Sequence, residues 1–243
     1  MKEWFESWFD TRYYHILYKN RDHSEAELFI RNLFGELDVS QSSKVLDLAC
    51  GKGRHSIFVN SLGYSTTGVD LSAESIETAK LNESDSLHFF QHDMRLPIEG
   101  ASFDLVLNLF TSFGYFQDTA QNEKMLSSIH NYLSDEGRLV IDFFNAETVL
   151  RDLVQTETKL IDGIAFNISK TIENGSILKN INFQDRGDDY NFQERVQALK
   201  LSDFENMLAH TDFELEAIYG NYQLERFDSN SERLIIVAKK IKK

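Results

Sequence analysis

The stretch Val45-Leu46-Asp47-Leu48-Ala49-Cys50-Gly51-Lys52-Gly53-Arg54-His55 constrains the fold more than any other part of the chain. Lys44 to Ala49 (KVLDLA) is short, β-branched at its start and bounded by the turn signal CGKG, which reads as a buried strand. A short helix, roughly Arg54 to Leu62, follows. Gly63 ends that helix, and Tyr64 to Val69 (YSTTGV) has the composition of a second strand, closed by Asp70 with Ser72 as the N-cap of the next helix. Together these segments form one βαβ unit.

The same rhythm runs on through a helix at 73–81, strands at 87–91 and 103–110, a helix at 119–133 and a strand at 138–144. That alternation specifies a mostly parallel sheet covered on both faces. Ahead of it, Ser24 and Glu27 form a capping box for an amphipathic helix over 24–37 that presents Ala26, Ile30, Leu33, Phe34 and Leu37 on one face. From residue 159 the period changes to two. Ile164, Phe166 and Ile168, then Ile177, Ile181 and Phe183, flank Asn174-Gly175 as a hairpin, and a turn at 186–189 leads to a third strand near 190–199. A helix capped by Ser202, with Glu205 at the box position, and strands near 214–222 and 233–241 complete the chain. The expected fold is α/β, with a Rossmann-like, seven-stranded, mostly parallel sheet, an antiparallel edge strand and a small inserted antiparallel β lid. The expected division is a helical cap at 1–43, a core at 44–154, the lid at 155–200 and closing elements at 201–243.

Composition narrows the partners. A formal charge of −14 removes the broad attraction on which most nucleic-acid binding rests, so a small molecule is the expected partner. No apolar run approaches the ~20 residues of a membrane span, and the N-terminus lacks the basic-then-apolar order of a secretory signal. The expectation is a soluble, cytoplasmic protein. The single cysteine, Cys50, excludes an internal disulfide, and no His/Cys spacing suggests a metal site. Oligomeric state is not readable from the sequence.

Where a strand runs through a glycine turn into a helix, the missing side chains admit a ligand to the backbone and the helix start offers free N–H groups. In open α/β sheets that ligand lies at the carboxyl ends of the strands, where Asp70 can accept both ribose hydroxyls. A nicotinamide-binding unit shares these features. Its fingerprint, however, wants a third glycine where this chain has Ser56, and Asp47 before the turn would repel a pyrophosphate. Asp47 suits the cationic methionine portion of S-adenosylmethionine, whose lone carboxylate an arginine, Arg54 or Arg21, would meet. An NAD(P)-dependent oxidoreductase and a non-catalytic module binding S-adenosylmethionine are the alternatives.

VLDLACGKGRHS resembles the first motif of class I S-adenosylmethionine-dependent methyltransferases, and STTGVDLS resembles the motif that ends in their ribose-binding acid. QHDMRLP and FDLVLNLFTSFGYF resemble the adenine-side and acceptor-side motifs of the bacterial small-molecule branch related to glycine and sugar-amine N-methyltransferases. The resemblance implies that Asp47, Ala49, Gly51 and Gly53 border the methionine moiety and that Asp70 holds the ribose. Leu71 and Met94 would sandwich the adenine, Asp93 would accept from its amino group, and Asn108 would close the cofactor site. The chain departs from the commoner glycine pattern at His55. Methyl transfer by in-line displacement to nitrogen, rather than oxygen, is the implied reaction, with His15, His55 and His92 as the nearest titratable groups and none assigned as base. Aromatic faces attract cations. The dense aromatics of the N-terminus are therefore expected to cap the cofactor, with Tyr14 against it and Tyr18, Phe113 and Tyr115 lining the acceptor side.

Overall fold

The strand–helix alternation resolves into a seven-stranded sheet and a separate four-stranded one in the computed structural model, which describes residues 3–19 and 23–242. Three helices precede the first strand: α1 (Trp4–Trp8), α2 (Arg12–Leu17) and α3 (His23–Glu36). The βαβ series follows as β1 (Lys44–Leu48), α4 (Arg54–Ser61), β2 (Ser65–Asp70), α5 (Ala73–Ala79), β3 (Leu87–Gln91), β4 (Phe103–Asn108), α6 (Thr119–Tyr132), β5 (Leu133–Phe144) and α7 (Ala146–Arg151). The insertion is β6 (Thr156–Ile161), β7 (Ile164–Glu173), β8 (Ser176–Asp185) and β9 (Asp188–Gln197). The chain ends with α8 (Leu201–His210), β10 (Phe213–Tyr219) and β11 (Arg233–Lys240).

The large sheet has the order β10-β11-β5-β4-β1-β2-β3. β11 is the strand that runs against the rest, one position in from the edge, pairing antiparallel with both β5 and β10. β1 lies between β2 and β4 and is parallel to both. The chain therefore leaves β1 toward one side and later returns on the other, so a crevice opens at the carboxyl ends of β1 and β4, where ligands bind in open sheets of this kind.

Each face of this sheet buries its own apolar layer. Leu46, Leu48 and Val106 meet Met125, Leu126 and Ile129 of α6 and Phe204 and Leu208 of α8. On the opposite face Val45, Leu105 and Leu107 meet Phe29, Ile30 and Leu33 of α3 and Val59 of α4. Strands buried on both sides have no polar face to alternate with, which is why β1 reads as nearly continuous apolar sequence. The expected boundary at residue 43 set α3 apart as cap. Its apolar face is instead a layer of the core.

The small sheet pairs β6-β7-β8-β9 in sequence order. It has one strand more than the expected meander, because β6 (TETKLI) lies mostly exposed at an edge and carries no clean alternation. Ile164, Phe166, Ile168, Ile181 and Phe183 project from one face and pack on Trp8, Tyr13 and Leu17, so α1 and α2 form the other half of this third core.

The capping expectations divide. Ser72 caps α5, accepting from the Ser75 N–H at 3.0 Å. α8 starts two residues earlier than Ser202 implied: Lys200 is the N-cap and Asp203 accepts its N–H at 2.8 Å. α3 begins at His23, which places Ser24 inside its first turn. No helix of the described residues is long and apolar enough to cross a membrane.

Candidate active site

β1 ends at Leu48, and the backbone then passes through left-handed conformations at Ala49 (φ 64°), Gly51 (φ 56°) and Gly53 (φ 82°) before α4 begins. Left-handed backbone costs a residue with a Cβ ~1–2 kcal/mol, so a non-glycine held there marks a turn over-determined by its surroundings. What holds it is visible. Asp70, at the end of β2, accepts the Gly51 N–H at 2.8 Å with one oxygen and the Ser72 N–H at 2.8 Å with the other. The carboxylate thus ties the turn to the neighbouring strand end. Burial raises the Asp70 carboxyl above its ordinary range, against the lowering effect of these two N–H groups and with nearby Asp10 adding to the rise.

The two glycines do different work. A Cβ at Gly51 would meet no atom within 4 Å, whereas one at Gly53 would stand 2.7 Å from the Phe89 ring. Gly51 opens onto the site and Gly53 lets α4 close on β3. Asp47 lies behind the turn at 1% exposure, accepting from the Ser56 N–H at 3.1 Å and the Ser56 hydroxyl at 2.6 Å. Its burial pushes the carboxyl up to about 6, with the Ser56 bonds opposing the rise. Ser56 fills the place a third glycine would take in a dinucleotide site, and its hydroxyl is committed to Asp47. Asn108 is likewise buried, donating to the Leu48 carbonyl at 3.0 Å, and its Oδ1 has no hydrogen-bond partner among the described residues.

In front of the turn lies a cavity of about 630 Å³. Its floor is Ala49, Gly51, Arg54, Asp70 and Leu71, and Asp93 and Met94 bound it beyond β3. Phe5, Phe9, Tyr14 and Tyr18 of the N-terminal segment close it from above, meeting Phe110, Tyr115 and Phe116 from the segment after β4. The rings support one another: Phe9 lies 4.8 Å from Tyr14 and 5.5 Å from Tyr115, and Trp4 lies 5.4 Å from Tyr115. Polar contacts anchor this roof. The Tyr18 hydroxyl donates to Glu194 of β9 at 2.7 Å, as does the Trp8 indole N–H at 2.7 Å, and Lys179 of β8 pairs with the same carboxylate at 3.3 Å. On the other flank Arg95 bridges Asp93 at 2.7 Å and Glu3 at 2.9 Å. Burial raises the Asp93 carboxyl, but the Arg95 bonds outweigh it and hold the group below its ordinary range.

Of the residues expected at the site, Tyr14, Tyr18, Ala49, Gly51, Arg54, Asp70, Leu71, Asp93, Met94 and Tyr115 all line this cavity. Asp47, Gly53 and Asn108 stand behind its wall, where they shape the turn and the strand ends rather than the surface. Phe113, expected on the acceptor side, is a correction. It is wholly buried with its ring 5.2 Å from Phe204, because the segment after β4 turns it into the α6–α8 layer while Tyr115 points outward. Arg21 lies outside the described residues. His15, His55 and His92 all reach the cavity, as do Asp10, Lys19 and Gln91, which were not expected there. Asp10 arrives because its carboxylate accepts from the Ser72 hydroxyl across 62 residues of sequence, and no local pattern announces such a contact. Among the described residues no group of three His, Cys, Asp or Glu side chains is placed to hold a metal ion.

Residues 45–137 match the model of a methyltransferase domain. The chain is 29% identical over 140 residues to a dTDP-3-amino-3,4,6-trideoxy-alpha-D-glucopyranose N,N-dimethyltransferase of Streptomyces venezuelae, covering 56% of this chain and 58% of that one. It is 29% identical over 141 residues to a glycine/sarcosine N-methyltransferase of Halorhodospira halochloris, covering 56% and 51%. The chain spans about half the length of the curated relatives it matches, from 44% to 63%. A solved S-adenosylmethionine-dependent methyltransferase from Clostridium acetobutylicum superposes with a TM-score of 0.81 over 95% of this chain and 96% of that one, at 20% identity, and shares the fold.

Proposed function

We propose that the protein, whose residues 45–137 match the model of a methyltransferase domain, transfers the methyl group of S-adenosylmethionine to the nitrogen of a small-molecule acceptor by in-line displacement. The observation that carries this reading is the cavity itself. One end is the glycine turn pinned by Asp70, the other an aromatic enclosure, in a single cavity of about 630 Å³. Small-ligand sites are typically ~300–1,000 Å³. A module that only bound the nucleoside would have no use for the aromatic half, and a nicotinamide enzyme would not place Ser56 and a buried carboxylate behind the turn.

The residues present fit the cofactor. Gly51 leaves open space where a side chain would stand, and Asp70 faces that space from the end of the adjacent strand. Asp70 would hold the ribose hydroxyls, Leu71 and Met94 would flank the adenine, and Arg54 would meet the carboxylate. When bound, S-adenosylmethionine supplies a methyl group on a sulfonium leaving group, so no covalent intermediate with the protein is required. The chain's own task is positioning and exclusion of water. The rings of Phe9, Tyr14 and Tyr115 shield the cavity from solvent and present π-faces to a cation. The amine must arrive neutral, and the carboxylate of Asp10 and the imidazoles of His15 and His92 border the same space as acceptors for a departing proton. The amine assignment draws on the N-methylating relatives, a sugar-amine and a glycine enzyme.

Calorimetry with S-adenosylmethionine and S-adenosylhomocysteine, followed by a screen of metabolites for label transferred from methyl-labelled cofactor, tests the proposal. Saturable binding of both and label found on an amine are expected. Failure to bind either compound would refute the reading, and label found only on oxygen would overturn its nitrogen assignment.

A further inference from the structure

Asp142 is an acidic residue near the carboxyl end of β5, flanked in the sequence LVIDFF by apolar residues and 1% exposed. It is not among the residues that line the cavity. A buried carboxylate persists in such a place only when fully paired, and its partners are specific. One oxygen accepts from Arg233 of β11, at 2.7 Å from Nε and 2.6 Å from a terminal nitrogen. The other accepts the Tyr222 hydroxyl at 3.0 Å and the backbone N–H of Phe110 at 2.9 Å. The Asp142 carbonyl accepts the N–H of Thr111 at 2.9 Å, and Arg233 also donates to the Thr111 hydroxyl at 3.2 Å.

Phe110 and Thr111 are consecutive non-glycine residues in left-handed backbone, both at φ 62°. Two such residues in a row are costly, by about 1 kcal/mol or more each, and are held only where surrounding bonds dictate them. The N–H groups of both residues are held by Asp142 and the Thr111 hydroxyl by Arg233. The conformation has a result inside the cavity: it sets the Phe110 ring beneath Arg54, whose guanidinium carbon stands 4.9 Å from the ring centroid. Arg54 opens α4 at the end of the glycine turn.

We propose that Asp142 and Arg233 are a positioning pair that, through the strained Phe110–Thr111 backbone, fixes Arg54 over Phe110 and so builds the carboxylate-binding end of the cofactor cavity. This rests on the reading of the cavity as a site for S-adenosylmethionine. Neither residue touches ligand. Removing the pair releases the loop, lets the ring leave Arg54 and weakens recognition of the amino-acid end of the ligand while the nucleoside end, held by Asp70, Leu71 and Met94, is untouched.

The test compares two ligands that differ in that end. S-adenosylhomocysteine carries the carboxylate; 5′-methylthioadenosine keeps the nucleoside and lacks the amino-acid part. Their affinities are measured by calorimetry on wild type, on Phe110→Leu, and on the double variant Asp142→Asn with Arg233→Met, which removes both charges together so that neither is left buried alone. A thermal melt of each variant reports folding. The expected result is a loss of about tenfold in affinity for S-adenosylhomocysteine in both variants, ~1.4 kcal/mol, with methylthioadenosine binding as in wild type. Phe110→Leu keeps the strut and the fold, so it carries the test if the double variant does not fold. Equal losses for the two ligands, or no loss for either, would overturn the assignment. Wild-type protein that takes up neither ligand would overturn the cofactor reading, and this assignment with it.

Discussion

Replacing Asp47 by Asn should change how the protein's stability depends on pH, and by an amount the structure sets. The carboxyl is buried against Ser56 and its pKa is lifted from the ordinary 3.8 to about 6, desolvation being the largest cause. A folded-state value above the unfolded one means the native protein favours the protonated acid. The stability associated with this group is therefore complete at low pH and is lost as the pH rises through about 6. The full loss is about 3 kcal/mol, from ~1.4 kcal/mol per tenfold change in proton affinity. Asparagine has nearly the same shape, keeps an oxygen to accept from Ser56 and does not titrate. The difference in unfolding free energy between wild type and Asp47→Asn should accordingly move in favour of the variant by about 2 kcal/mol between roughly pH 4.5 and 7.5. Urea titrations of both proteins at the two pH values measure it, and because every other titrating group is common to both, its contribution cancels to first order. Parallel curves, with the same difference at both pH values, would show that the buried carboxylate does not titrate as argued. A cationic ligand favours the ionised acid, so S-adenosylmethionine should bind wild type more tightly as the pH passes 6 and should show no such trend with Asp47→Asn.

The two glycines of the turn should separate function from folding. Gly51→Ala places a methyl group in open cavity space and should cost only the ~1–2 kcal/mol of left-handed backbone while lowering S-adenosylhomocysteine affinity at least tenfold; Gly53→Ala drives a methyl group into Phe89 and should cost a further ~1–3 kcal/mol in urea unfolding. A stability loss as large for Gly51→Ala as for Gly53→Ala would contradict this. Tyr14→Ala removes a ring from the cavity roof and should weaken binding of the cofactor severalfold by calorimetry, with unchanged affinity counting against an aromatic roof over the ligand. Phe166→Ala empties the centre of the third core, where the ring is fully buried 4.7 Å from Phe183, and should lower unfolding free energy by ~3–5 kcal/mol. A loss under 1 kcal/mol would mean that α1 and α2 do not depend on that sheet for their place.

The glycine turn, the periodic apolar stretches and the change of period after residue 159 determined by themselves the large sheet, its parallel majority and the antiparallel insertion, because these are consequences of local spacing. Chemistry concentrated on one short segment was equally legible: Gly51, Arg54 and Asp70 stand at the cavity because a strand, its turn and the next strand end must share one rim of the sheet. Contacts made across long stretches of chain were not. Phe113 and Tyr115 are alike in sequence terms, two aromatic residues spaced by a glycine, and only the packing of α8 against α6 decides that one is core and the other wall. α3 looked like part of a cap until the sheet supplied the face it covers. Asp10 reaches Ser72, Glu194 gathers Trp8 and Tyr18, and Asp142 holds Phe110 through bonds joining elements that sequence leaves far apart. Local patterning is fixed by backbone geometry one turn or one strand at a time, but the partner of a buried polar group is whatever the completed packing brings within about 3 Å, and that is a property of the whole fold.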